Sequence, residues 1–151
     1  MTTPLFGYRG RALATLTGLL ALSAFATPRL NERSVWSGVY TTAQAERGRE
    51  TFEASCAACH RADLSGRGPI PALRGTSFTG ERDGQSVGDL FEVIRSTMPP
   101  GRQGTLAPEA YVDVVAYLLS ANAYPPGDGD LPHHEETLHG IVFDARVARG
   151  F

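Results

Sequence analysis

The sequence predicts an all-α domain of three to four helices, on three observations. Three stretches, at 43–58, 87–97 and about 108–121, place apolar residues at helical spacing behind helix-start signals. Two cysteines and a histidine fall within five residues, Cys56-Ala57-Ala58-Cys59-His60, and no strand signal surrounds them. A chain of 151 residues, 42% of them hydrophobic, suffices for one small domain and not comfortably for two.

Residues 1–26 read as a secretory signal peptide. Arg9 and Arg11 precede an uncharged run from Ala12 to Ala26, rich in Leu and Ala, that ends in Ala24-Phe25-Ala26. Its 15 residues fall short of the ~20 that span a bilayer comfortably. Cleavage is the expectation, with an uncleaved anchor as the alternative, and no later segment is apolar enough to span. Without residues 1–26 the formal charge moves from −2 to −4, with 12 basic residues against 16 acidic. All 14 basic residues of the chain are arginine. The acidic balance gives no support to nucleic-acid binding, and the absence of lysine excludes a broad lysine-rich docking ring.

Residues 27–41 form an extended lead-in, with Trp36 and Tyr40 expected to pack on the domain at 42–124. Thr41 and Gln44 fit a capping box for a first helix from Ala43 to Ala58, which carries Ala45, Gly48, Phe52 and Ser55 along one face. That face admits another helix closely at Gly48, and the helix is expected to run directly into the cysteine motif. From Asp63 to Gly84 the residues are mainly Gly, Pro, Ser and Arg, which reads as a long loop wrapped on a ligand. Ser86 and Asp89 form a second capping signal ahead of Val87, Leu90, Phe91 and Ile94, and Pro99-Pro100 stops that helix near Thr97. Pro108 opens the last helix behind a weak cap, Ala107, with Tyr111, Val114, Val115, Leu118 and Leu119 as the apolar face. Pro125-Pro126-Gly127 ends regular structure, so residues 125–151 are expected to be a partly ordered extension.

Cys-x-x-Cys-His is the attachment signature of a c-type haem. On a helix, Cys56 and Cys59 share one turn and can add to the two vinyl groups of one porphyrin. His60 falls one turn beyond Cys56, where its imidazole can reach the iron as proximal ligand. A thioredoxin-like pair would need a neighbouring βαβ pattern, and a zinc site would need four ligands where only one Cys pair exists. Both cysteines lie in the motif, so covalent haem c takes the place of a disulfide as the staple of a small domain.

The second axial position falls to Met98, the only methionine outside the signal segment, 38 residues after His60. A rigid Pro-Pro-Gly follows it, which suits a fixed thioether ligand better than a core filler. The competing ligands are His133, His134 and His139, which follow a Pro/Gly break. His60 also needs an acceptor for its unligated ring nitrogen, and the Pro71 carbonyl is the candidate. The plainer reading is that Pro69 and Pro71 only stiffen the loop.

With these residues in order, the chain resembles a class I (monohaem) c-type cytochrome over about Val35 to Tyr124. The likeness rests on Gly48 and Phe52 in the first helix, the motif at 56–60, Pro71-Ala72-Leu73, Met98-Pro99 and Tyr117-Leu118 in the last helix. It implies a small cytochrome c-like fold wrapped around one covalent haem, with Gly48 and Phe52 crossing Tyr117 and the Pro71 carbonyl bonded to His60. Gly38-Val39-Tyr40-Thr41, Gln44-Ala45-Glu46-Arg47-Gly48 and Val114-Val115-Ala116-Tyr117-Leu118-Leu119 also resemble cytochrome modules that accompany quinoprotein dehydrogenases. The chain departs from them at Arg82-Asp83-Gly84, where such modules often carry tryptophan, and at Arg61, where glycine is common.

The expected function is a periplasmic electron carrier cycling between Fe(III) and Fe(II), not itself an enzyme. Its expected pocket is Phe52, Leu73, Phe91, Ile94 and Leu118, and its partners are redox proteins such as a dehydrogenase or a terminal oxidase, met at a haem edge near Cys59 and the Met98 loop. The alternative is a haem c enzyme or gas-sensing module with a displaceable sixth ligand.

Overall fold

The computed structural model describes residues 1–2 and 33–144. The expected signal peptide, apart from its first two residues, and residues 145–151 lie outside the described residues. The elements are β1 (Arg33–Ser34), α1 (Thr42–Ser55), α2 (Ala57–His60), α3 (Gly75–Arg82), α4 (Val87–Thr97), α5 (Pro108–Ala121), α6 (Glu135–His139) and β2 (Ile141–Val142). The fold is all-α apart from β1 and β2, two-residue strands that pair in parallel. No helix among the described residues is long and apolar enough to cross a membrane.

The α1/α5 crossing organises the core. Phe52 of α1 and Val114, Val115, Leu118 and Leu119 of α5 are buried, and each such side chain contributes about 1.5–3 kcal/mol when removed from water. The two helices meet at Gly48, where an added methyl group would fall on the backbone carbonyl of Asp113 and 3.0 Å from Tyr117 Cβ. The rings of Phe52 and Tyr117 stand 5.3 Å apart beside that crossing. The obstacle at Gly48 is backbone, which cannot rotate away. Gly48→Ala is therefore expected to cost about 3 kcal/mol through overpacking, read as a lower melting temperature of the haem-loaded protein. An unchanged melting temperature would mean that the helices do not approach this closely.

The caps show where sequence signals and tertiary structure diverge. At α4 both halves of the capping box form, Asp89 N–H donating to Ser86 Oγ and Ser86 N–H donating to Asp89 Oδ2. The Ser86 N–H and then its hydroxyl, both donating to Asp89 Oδ2, hold the Asp89 carboxyl below the usual carboxylate range. At α1 only half forms: Gln44 N–H donates to Thr41 Oγ1. The Gln44 carboxamide instead pairs with both backbone groups of Leu131, 2.9 Å to its carbonyl and 2.7 Å from its N–H.

Three expectations are corrected. First, α1 does not run through the cysteine motif. It ends at Ser55, Cys56 departs from helical geometry (φ −124°, ψ −32°), and α2 restarts at Ala57. Second, the stretch from Asp63 to Gly84 contains α3. Its one buried apolar residue, Phe78, gives no periodicity to read, and its first turn is capped from far away, the Gly75 N–H donating to Asn122 Oδ1. Third, residues 125–144 are part of the core. Leu131, Leu138, Ile141 and Phe143 are buried, and β2 pairs with the lead-in. Trp36 stacks edge-on against Tyr124 at 4.8 Å, and the Tyr40 hydroxyl donates to the Tyr124 carbonyl at 2.6 Å.

Candidate functional site

An apolar cleft with about 910 Å³ of atom-free space, partly open to solvent, lies between the cysteine motif and α4, with α5 behind it. Cys56, Cys59 and His60 reach it from the α1/α2 junction, Ile70, Pro71 and Leu73 from the loop that follows, and Leu90, Val93, Ile94, Thr97 and Met98 from α4 and its exit. Phe52, Val114 and Leu118 line it from the α1/α5 pair. Of the expected pocket residues, Phe52, Leu73, Ile94 and Leu118 line the cleft. Phe91 does not: it is buried in the core beneath α4. Leu90, Val93 and Thr97 line the cleft with Ile94, at positions one turn apart on α4, so the helix presents a different stripe from the one Phe91 occupies. Ser55, Ile70, Pro99, Pro100 and Val114 were not legible as lining residues, because their placement depends on how the loop and the two helices cross.

His60 is largely buried, with Nδ1 3.1 Å from the Pro71 carbonyl oxygen. A carbonyl only accepts, so Nδ1 carries the proton and Nε2 keeps its lone pair for a metal. The loop that supplies Pro71 is tied back on the motif. Gly66 N–H donates to the His60 carbonyl at 3.1 Å, and Leu73 N–H to the Leu64 carbonyl at 2.8 Å. Asn122 Nδ2 secures the far side by donating to the Leu73 carbonyl at 3.0 Å, a link that no local pattern signals. Arg61, just after the motif, has φ +67°, a conformation in which glycine is at ease and which accounts for the glycine common at this place in similar modules.

Met98 lines the same cleft as His60. Its backbone is fixed at both ends: its N–H donates to the Ile94 carbonyl at 2.8 Å, and its carbonyl accepts from the Tyr111 hydroxyl at 3.0 Å. None of His133, His134 and His139 lines the cleft. His133 and His134 stack on each other with centroids 4.7 Å apart, and His139 is engaged by Ser86 Oγ and Glu92 Oε1, each at 2.9 Å.

The thiols fit covalent attachment better than redox or zinc chemistry. Burial, and then the neighbouring Cys59, push the Cys56 thiol up, whereas a reactive dithiol needs its thiol pushed down. Among the described residues no three His, Cys, Asp or Glu side chains group so as to hold a metal ion. A haem fits what is present: two thiols on the rim, an imidazole with a free Nε2, a thioether and an apolar wall. The one formally charged side chain in the lining, Arg82, has its Nε buried without a hydrogen-bond partner.

A family model described as cytochrome c oxidase, cbb3-type, subunit III matches residues 43–118. A solved chain from the sulfane dehydrogenase SoxCD of Paracoccus pantotrophus is similar in fold, with a TM-score of 0.50 and 24% identity over 88% of this chain and 71% of that one. At that identity the likeness speaks for the fold alone. No curated protein matches.

Proposed function

This chain belongs to the cytochrome c oxidase, cbb3-type, subunit III family, and from that premise we propose a periplasmic carrier of single electrons with His60 and Met98 as axial ligands. It is a monohaem c-type cytochrome, and its cofactor is one covalently bound haem c. We assign residues 1–26 to an export signal, 27–41 to a lead-in, 42–124 to the electron-transfer domain and 125–151 to a C-terminal extension, whose residues 125–144 fold back on that domain.

Haem supplies the one-electron Fe(III)/Fe(II) couple, and the residues of this chain adapt it to electron transfer. Cys56 and Cys59 anchor it. The Pro71 carbonyl fixes the tautomer and ring orientation of His60. Phe52, Leu73, Ile94 and Leu118 exclude water, which raises the cost of the extra positive charge in the oxidised state. The backbone of Met98, bonded at both its N–H and its carbonyl, keeps the thioether in place when the iron changes charge. The observation that carries the reading is His60 and Met98 in one apolar cleft, with the His60 Nδ1 committed to Pro71.

Cys59 and Pro100 are exposed on the cleft, and there we place the contact with a redox partner. The partner is a dehydrogenase that supplies the electron or an oxidase that removes it. Such encounters are small in area and weak. The test is carbon monoxide at neutral pH. The reduced protein is expected to keep its spectrum unchanged, and ready binding would overturn the carrier in favour of a sensor or enzyme with a displaceable ligand.

A further inference from the structure

A segment outside the family match grips the helix that ends at Met98. On α4, Arg95 Nη1 donates to Glu135 Oε1 at 2.7 Å, and one turn earlier Glu92 Oε1 meets His139 Nε2 at 2.9 Å. Glu135 and His139 are the two ends of α6, so this short helix runs counter to α4, acid against base at one end and base against acid at the other. Gly88 makes room for the imidazole: an added methyl group would fall 2.5 Å from His139 Nδ1.

The protons around His139 can be counted. Ser86 Oγ lies 2.9 Å from Nδ1, and its one proton goes to Asp89 Oδ2 at 2.8 Å. With that proton committed, the hydroxyl accepts from Nδ1, as the Glu92 carboxylate accepts from Nε2. Both ring nitrogens donate, so the ring is an imidazolium. A neutral ring keeps both contacts only by accepting the Ser86 hydroxyl at Nδ1, which takes that donor from Asp89 and undoes part of the cap of α4. The charged groups on the elements packed around the ring are Asp89, with Oδ1 3.7 Å from Nδ1, Glu92 and Arg95 on α4, Glu135 and Glu136 on α6, Arg82 at the end of α3 and Arg33 on β1. The Ser86 bonds, and then the charges of His139 and Arg82, keep the Asp89 carboxyl ionised to below the usual carboxylate range. The clasp is therefore lost at the acid end only below that range, as Asp89 takes up a proton, and at the other end as pH rises and His139 gives one up.

We propose that protonated His139 is a positioning residue, which clasps the C-terminal segment to α4 and through that helix holds the Met98 thioether on the iron. This rests on Met98 being the axial ligand, as under Proposed function. The last turn of α4 links the clasp to the ligand. Its Ile94 carbonyl accepts from Met98 N–H at 2.8 Å, and its Arg95 carbonyl accepts from Gly104 N–H at 3.0 Å, so the loop that carries Met98 is tied at both ends to the turn that Glu92 and Arg95 anchor. When His139 loses its proton the turn loosens. A thioether favours Fe(II), and one held less firmly lowers the reduction potential.

The experiment follows two readouts against pH: the midpoint potential and, in the oxidised protein, the thioether-to-Fe(III) charge-transfer band. It uses the full-length haem-loaded protein, His139→Gln and His133→Gln. In the parent, potential and band are expected to fall together as pH rises, and the His139 ring resonance of the oxidised protein should titrate at the midpoint of the band. His139→Gln, which cannot take up the proton, should lose the step and show the parent's weakened alkaline band at every pH. His133→Gln should keep the step, since His133 faces Glu109 of α5. A step that survives His139→Gln overturns the proposal. So does a potential that steps while the band stays constant, because charge alone would then account for it. Should His139→Gln fail to accumulate, the ring resonance of the unaltered protein decides, and a titration away from the midpoint of the band overturns the proposal. A band absent from the parent at every pH overturns Met98 as ligand and this inference with it. A parent whose band and potential ignore the His139 titration overturns this inference alone.

Discussion

Replacing Cys56 and Cys59 together by serine is expected to abolish covalent haem and, with it, most of the stability of the domain. The substitutions are nearly isosteric, and the two sites pack loosely, Cys59 being exposed and Cys56 only half-buried. Side-chain packing at such positions is worth about 0.5 kcal/mol. The large term is the cleft. Phe52, Ile94, Val114 and Leu118 face about 910 Å³ of atom-free space, and without haem that apolar surface meets water. Because the covalent haem covers that surface only when the chain is folded, its loss should cost on the order of 5 kcal/mol, comparable to the whole stability of a small domain. The measurements are haem staining after denaturing electrophoresis, where no band is expected, and melting by far-UV circular dichroism, where the cooperative transition should drop sharply or vanish. A haem-free variant that keeps the parent's helicity and melting temperature would show that α1, α4 and α5 hold their positions unaided.

Much of this site is legible in sequence because its parts lie on local signals. The motif at 56–60 is contiguous, the Ser86/Asp89 box starts α4 where its apolar residues begin, and Pro99-Pro100 ends it beside Met98. Gly48 between larger residues marks a close helix crossing, and the crossing is there. What escapes is what depends on distant partners. α3 has a single buried apolar residue and takes its cap from Asn122, 47 residues away. Gln44 has the spacing of a capping box, yet its carboxamide is drawn off by the backbone of Leu131. The C-terminal segment shows a polar composition broken by Pro and Gly, and its four buried residues, Leu131, Leu138, Ile141 and Phe143, are too widely spaced to read as one element. Arg82 belongs to this second class: its sequence neighbours make it look like a loop arginine, and only the fold turns it into the charged wall of an apolar cleft. Tertiary contacts of this kind override local propensity without leaving a local trace.

Met98→Ala separates the ligand from the scaffold that carries it. The Met98 N–H bonds to Ile94 and its carbonyl to the buried Tyr111, and neither bond involves the thioether. Truncation therefore leaves the exit of α4 in place and removes the sulfur alone. A thioether is a soft ligand that favours Fe(II) over Fe(III). Its loss should lower the midpoint potential by on the order of 200 mV, within the ~0.8 V over which axial ligation sets haem potentials. At ~1.4 kcal/mol per 59 mV for one electron this is ~5 kcal/mol, against ~1 kcal/mol or less for packing at a half-buried site. Potential and stability should thus separate, with a large fall in the first and a small change in melting temperature. The optical spectrum should turn high-spin, and the reduced variant should bind the carbon monoxide that the parent refuses. A parent-like potential and spectrum would rule Met98 out as a ligand. A change in spectrum that appears only together with loss of the folded state would mean that the thioether supports the cleft rather than the iron.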